Sequence, residues 1–471
     1  MDSLSGTIIR VYDNLNRLTS ETTPQGTVSY TYDGAGRRTS MTVAGQPTAN
    51  YTYDNANRLT QITQGASIVT FAYDVAGRRT STTLPNGIAV SYTYDAASRV
   101  TAIDYKQEAT VLGNLTYQYD ANGNRTQIGG SWARTGLPQA LTPAVYNAAN
   151  QMTTFGGQSL TYDTNGNLTS DGSANFNWDA RNRMVSMEGT GTNASFQYDS
   201  LGRRVNKTVN ESSTSFLYNG QTPVQELSGS TPTANLLTGL GIDEYLTRTD
   251  LSGTRTLLTD ALGSTLTLTD GVGAVQTQYT YEPFGKTTVI GQSSSNSFQY
   301  TGRENDGTEF YYYRARYYGP GAARFLSRDP IGFRGGPNFY SYVNNNPLSF
   351  IDPFGLDKSG GNPNLGDPFQ PVPVRDNSSP PLNPSEPPLP PIILDSDNNV
   401  FYPDFSKPNP KQPWMPYVNS PKTGADRPVT PIRPPVPPPT PFVPPEILPF
   451  IVPVPGILNC GAAGQCGDQQ N

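Results

Sequence analysis

A tyrosine-aspartate pair returns along the first hundred residues at near-constant intervals. It opens YDNLNRLTS at Tyr12, YDGAGRRTS at Tyr32, YDNANRLTQ at Tyr53, YDVAGRRTS at Tyr73 and YDAASRVTA at Tyr94, in steps of 20, 21, 20 and 21 residues. The interval then loosens, with copies at Tyr119-Asp120, Tyr162-Asp163 and Tyr198-Asp199 and degenerate ones at Tyr146-Asn147 and Trp178-Asp179. A fixed period of this length means one supersecondary unit stacked many times. Within a unit, Val28, Tyr30 and Tyr32 alternate with Ser29 and Thr31, the two-residue period of a strand. Asp33-Gly34-Ala35-Gly36 follows as a turn, because aspartate accepts from backbone amides two residues on and glycine takes positive φ. Arg38 to Val43 returns as the second strand. Each unit is therefore predicted to be a β-hairpin. One hairpin is marginal in water, but stacked hairpins pair edge to edge and bury a continuous tyrosine-rich face. The fold class is all-β, built of stacked antiparallel hairpins. A residue present in every unit serves the unit. The tyrosine is expected to pack along a ladder, the aspartate to fix the turn and the arginine to stack or pair beside them, rather than to contact a ligand.

Composition removes several functions. The chain has 471 residues and no histidine, which excludes Ser-His-Asp and Cys-His mechanisms and histidine-ligated metals. The two cysteines, Cys460 and Cys466, are too few for a zinc site and leave open a small disulfide loop or two free thiols. No cofactor or metal is expected. Net charge is −6, and arginine recurs at intervals rather than in a basic patch, so nucleic acid is not an expected partner. Met1 to Arg10 lacks the basic stretch and apolar core of a signal peptide. No apolar run reaches the ~20 residues of a membrane span, and Pro441 to Leu458 is broken by prolines.

The chain resembles the rearrangement-hotspot (RHS), or YD-repeat, family over about residues 1–356. The most specific part lies late: YEPFG from Tyr281, FQYTGREND from Phe298, YYYRARYY from Tyr311, RFLSRDPIG from Arg324, NFYSYV from Asn338 and PLSFIDPFGL from Pro347. The resemblance implies a spiral β-sheet closing into a cocoon-like shell, whole or partial. It divides the chain into a repeat array (1–280), an RHS-associated core (281–356) and a variable C-terminal region (357–471). In the family that region is frequently a toxin held inside the shell as cargo, and upstream RHS or secretion components are implied partners. Secreted or cell-surface placement follows from the same resemblance.

Two DPxG motifs stand in the core, at Asp329 and Asp352. By resemblance the second marks a self-cleavage site, with the bond broken between Leu356 and Asp357. Asp329 and Asp352 would be the aspartate pair and Arg316 their neighbour, with Arg314, Arg324 and Arg328 as alternatives for the arginine. The residue types suit the chemistry. Two close carboxylates share a proton and one pKa rises. The ionised one can activate water, the protonated one can polarise the carbonyl or protonate the leaving nitrogen, and an arginine can stabilise the developing charge. Such an activity is a single turnover within one chain, not catalysis on outside substrates.

After Asp357 the composition shifts: 30 of the 43 prolines lie in the last 115 residues. Arg433 to Pro441 reads as polyproline II, and the region as extended or disordered. Apolar islands at Ile392 to Leu394, Phe401-Tyr402 and Ile447-Leu448 could dock on a shell wall. No toxin motif stands out there, and a proline-rich docking segment is the preferred reading. The chain begins within the repeats, so a short orphan copy, a truncated relic and a separately encoded piece are all open. Two other functions compete with the shell: a secreted or surface adhesion protein binding carbohydrate through exposed tyrosines, and a non-functional relic.

Overall fold

The structure, a computed structural model, describes residues 2–3, 5–137 and 143–360, and three short strands beyond them. Cys460, Cys466 and the segments Arg433 to Pro441 and Pro441 to Leu458 lie outside the described residues. Two compact units are present, Met1–Asn383 and Pro384–Asn471. In the second, Ile393–Leu394, Val400–Pro403 and Trp414–Pro416 pair in chain order as a small antiparallel sheet, so two of the apolar islands supply strands.

The regular structure of the first unit is nearly all strand. Twelve strands from Ile9–Tyr12 to Arg125–Gly129 form one sheet, and fourteen from Thr161–Tyr162 to Thr287–Gly291 form another. Every strand pairs antiparallel with its sequence neighbours, as stacked hairpins require. Among the described residues there is no α-helix, and no helix long and apolar enough to cross a membrane, which says nothing of a β-barrel.

The turn chemistry is local and repeats. Asp33 Oδ1 accepts from the backbone N–H groups of Ala35 and Arg37, both at 2.9 Å, and Oδ2 pairs with Arg37 Nε at 2.6 Å. The same three bonds recur at Asp13, Asp54, Asp74, Asp95, Asp179 and Asp199. The residue before each arginine is left-handed, with φ of 59° at Asn16, 82° at Gly36, 63° at Asn57 and 63° at Ser98. Asparagine is among the few side chains that visit this region readily.

The arginine also looks forward. Arg37 lies 4.9 Å over the ring of Tyr53 in the next repeat, while Tyr53 donates its hydroxyl back to the carbonyl of Arg38 at 2.8 Å. Trp178 replaces tyrosine without breaking the ladder, because its indole N–H makes the equivalent bond to Leu168 at 2.7 Å. The repeated residues serve the unit.

Stability should depend on burial even where the motif is identical. Asp199 is buried, and its partner Arg203 also reaches Glu21 of the first sheet at 2.7 Å. Asp199→Ala is expected to cost about 2 kcal/mol in urea unfolding, and Asp54→Ala, at a half-buried site, clearly less; equal losses would contradict this account.

The core lies between the two sheets and is bridged by Arg79–Glu244 (2.6 Å) and by Tyr105, whose hydroxyl donates to the Thr259 carbonyl (2.5 Å). The late segment packs in as a plug of aromatic rings, among them Tyr300, Tyr311, Tyr313, Tyr318, Phe325 and Tyr342. It caps the first sheet where the arginine ladder stops. There Asn124 stands in arginine's place, and Ser349 Oγ and the Leu348 carbonyl accept from the backbone N–H and Nη1 of Arg125.

Candidate self-cleavage site

Tyr311–Tyr313 and Arg316–Gly319 are the arms of a hairpin turned by Arg314 and Ala315. Arg314 takes a φ of 58° there, a conformation that costs a bulky side chain energy. Arg316 starts the second arm and is buried. Asp329 comes from the first DPxG turn; its backbone N–H donates to Phe339, and its Oδ1 accepts from Ile331 N–H, both at 3.0 Å. Asp352 follows the strand Phe350–Ile351, which pairs with Ser359–Gly360. The Leu356–Asp357 bond therefore lies in a hairpin loop. Asp352 Oδ1 draws that loop back by accepting from Leu356 N–H at 2.9 Å.

The three residues singled out in the sequence meet. Arg316 Nη2 is 2.9 Å from Asp329 Oδ2 and 3.5 Å from Asp352 Oδ2. Its Nε donates to Gly355 O at 2.5 Å and its Nη1 to Phe339 O at 2.9 Å, while the guanidinium sits 3.6 Å above the Phe325 ring. The other arginines are engaged elsewhere. Arg324 donates to the Asn150 carbonyl, Arg328 stacks on Phe339, and Arg314 reaches Asp243 and the Pro353 carbonyl.

One guanidinium faces two carboxylates in a buried place. Burial pushes the Asp352 carboxyl up to about 6, with Arg316 pulling the other way. Asp329 is also raised, by burial first, against the pull of Arg316. Burial lowers the Arg316 pKa, and the two aspartates oppose that shift. Both carboxyls then favour a state in which the pair retains one proton.

Gly335 was not singled out in the sequence. A Cβ built on it would lie 2.9 Å from the Leu356 carbonyl oxygen and inside contact of the Asp329 carboxylate. The missing side chain keeps open the space between the carbonyl proposed to be attacked and one acid of the pair. The doubled glycine Gly335-Gly336 was the available signal. Asp243, also missed, carries none in a single sequence.

Comparison with known proteins gives the following. The family model described as Teneurin YD-shell matches residues 88–347, and the RHS Repeat model matches 12–48 and 53–89. The tRNA nuclease WapA of Bacillus subtilis (strain 168) is 28% identical over 265 residues, 51% of this chain and 11% of that protein. Toxin subunit YenC1 of Yersinia entomophaga is 41% identical over 100 residues, 20% of this chain and 10% of that protein. The chain thus spans about a tenth of the length of these curated relatives. The crystal structure of TcdB2-TccC3-Cdc42 matches with a TM-score of 0.56 at 21% identity, over 75% of this chain and 23% of that one.

Proposed function

The chain belongs to the Teneurin YD-shell family, and on that premise we propose that it is an RHS-type shell that cuts itself once, between Leu356 and Asp357, and holds the region beyond the cut as cargo. The observation that carries this reading is the convergence of Asp329, Asp352 and Arg316 on the loop ending at Leu356. The division into 1–280, 281–356 and 357–471, a toxin-like role for the last part, delivery outside the producing cell and any upstream partner belong to the same reading. Relatives named as a toxin subunit and a tRNA nuclease support it. The carbohydrate reading needs tyrosines with free faces. Tyr32, Tyr53, Tyr73 and Tyr94 of the regular repeats carry arginine on the ring and bond their hydroxyls to main chain, so the shell reading is preferred.

In the proposed step a water oxygen adds to the Leu356 carbonyl carbon and the ionised carboxylate takes the water proton. The proton held by the other carboxyl passes to the Asp357 nitrogen as the C–N bond breaks. A Leu356 carboxylic acid and an Asp357 amine result; the acid's proton passes to the amine, leaving a carboxylate and an ammonium, and the pair again holds one proton. Arg316 supplies positive charge beside the developing oxyanion and holds both acids and the loop in register. Proximity is built in, because the bond belongs to the same chain.

Intact-mass measurement on the expressed chain tests this. Two pieces, one ending at Leu356 and one starting at Asp357, are expected; a folded wild type that stays whole overturns the reading. Gly335→Ala puts no strain on its own backbone, which is outside the left-handed region, but its Cβ pushes on the Asp329 carboxylate and the Leu356 carbonyl. It fills the space beside the Leu356 carbonyl and should slow the cut by about 100-fold.

A further inference from the structure

We infer that Arg314, Ala315 and Arg316 form a clamp that counts out the residues before the cut, and that Asp243 positions Arg314 within it. This rests on the self-cleavage reading and adds what chooses the bond. Three consecutive carbonyls of the loop are held by three consecutive residues of the hairpin. Arg314 Nη1 donates to Pro353 O, Ala315 N–H to Phe354 O at 3.1 Å, and Arg316 Nε to Gly355 O at 2.5 Å. The next carbonyl along the chain is that of Leu356, beside which Gly335 leaves its gap.

The ends of the clamp are built differently. At Gly355 the fit is steric. Its φ is 67°, and a Cβ there would run into the Tyr313 carbonyl and lie 3.1 Å from Arg316 N. Only glycine lets the loop come down onto the hairpin at that position. At Arg314 the fit is electrostatic. Asp243 holds Arg314 Nη2 at 2.7 Å and Nη1 at 3.1 Å, and is itself gripped through both oxygens by Arg303 Nη1 at 2.7 Å. Arg303 donates in turn to Tyr312 O, on the same hairpin, at 3.0 and 3.2 Å. Burial raises the Asp243 pKa, but Arg303 and Arg314 outweigh it and hold the carboxyl below its ordinary value. Asp243 and Arg314 have φ of 56° and 58°, so backbone strain is stored on both sides of the contact. Asp243 lies between the strands Thr231–Thr238 and Tyr245–Asp250 of the second sheet. The repeat wall therefore sets where the clamp sits.

A lysine at 314 would keep the charge beside Asp243. A single ammonium lacks the planar fork that spans Asp243 and the Pro353 carbonyl together. A purely structural role for Arg314 would change stability but not which bond breaks. The experiment follows the cut over time, by intact mass, in the full-length wild type, Arg314→Lys and Gly355→Ala, with protease resistance of residues 1–356 as the folding criterion. The wild type should give one cut. The variants should be slower by about tenfold or more, or give products with shifted ends. A folded Arg314→Lys that cuts after Leu356 at the wild-type rate overturns the clamp while leaving the self-cleavage reading intact. If Arg314→Lys fails to fold, Gly355→Ala decides by the same criterion, since it alters a loop beyond the last strand of both large sheets. A wild type that never cuts sinks the self-cleavage reading and the clamp with it.

Discussion

With Asp352 replaced by asparagine the chain is expected to fold with the same sheets and to stay whole, its self-cleavage slowed by about 10³-fold. The amide oxygen can still accept from Leu356 N–H, so the loop keeps its return. What is lost is a group able to carry a proton. The pH dependence follows from the same residue. Its carboxyl is pushed up to about 6 by burial, from an ordinary 3.8. Below that point the pair holds the proton needed at the leaving nitrogen; above it the proton is lost. The wild-type rate should therefore fall as pH rises beyond about 6, by about tenfold per unit once that loss is complete. Freshly translated chain moved into buffers from about pH 5 to pH 9 would show the slope. A rate that climbs steadily with pH would point to attack by hydroxide without acid assistance, and would remove Asp352 from the mechanism.

What could be read from the sequence is what the chain decides locally. The Asp–Arg turn closes over five residues and depends on no distant partner, so its period alone predicts the hairpins. The turns at Asp260 and Asp270 keep the aspartate bonds to the amides two and four residues on, with threonine in the tyrosine's place. The sequence reading, tied to the tyrosine, missed them. The DPxG motifs marked the two acids, because turn residues and carboxylates are legible one motif at a time. Their meeting was not legible, since 22 residues stand between Asp329 and Asp352 and the contact depends on the Tyr340–Phe325 and Phe350–Gly360 pairings. Gly335 and Asp243 are farther from any rule, since each matters through what it faces across the fold.

The same limit hid the contact expected to matter most for stability. Arg204 and Lys207, on the strand Arg204–Val209 of the second sheet, meet Glu304 and Asp306 of the late segment. Arg204 is fully buried, 2.8 Å from Glu304 and paired with both oxygens of Asp306, and its guanidinium lies 4.1 Å from the Tyr312 ring centre. Lys207 reaches Glu304 at 2.6 Å and Asp306 at 3.2 Å. Two charges of each sign cancel inside the protein, so removing one leaves an uncompensated buried charge. Burial raises the Glu304 pKa, yet Arg204 and Lys207 more than offset it and bring the carboxyl down to about 2. Arg204→Met keeps the volume and is expected to cost about 3–5 kcal/mol in urea unfolding. Adding Asp306→Asn should recover part of that loss, because it removes the carboxylate that the first change stranded. The depressed Glu304 also fixes the acid response. Its contribution is fully present above its ordinary 4.5 and is lost as pH falls through about 2. The wild type should thus lose stability between about pH 4.5 and pH 2, and Arg204→Met should lose less over the same range. A loss below about 1 kcal/mol for Arg204→Met, the value of an exposed pair, would mean that the late segment is held by its aromatic plug alone and that this charge cluster does not fasten it to the repeat wall.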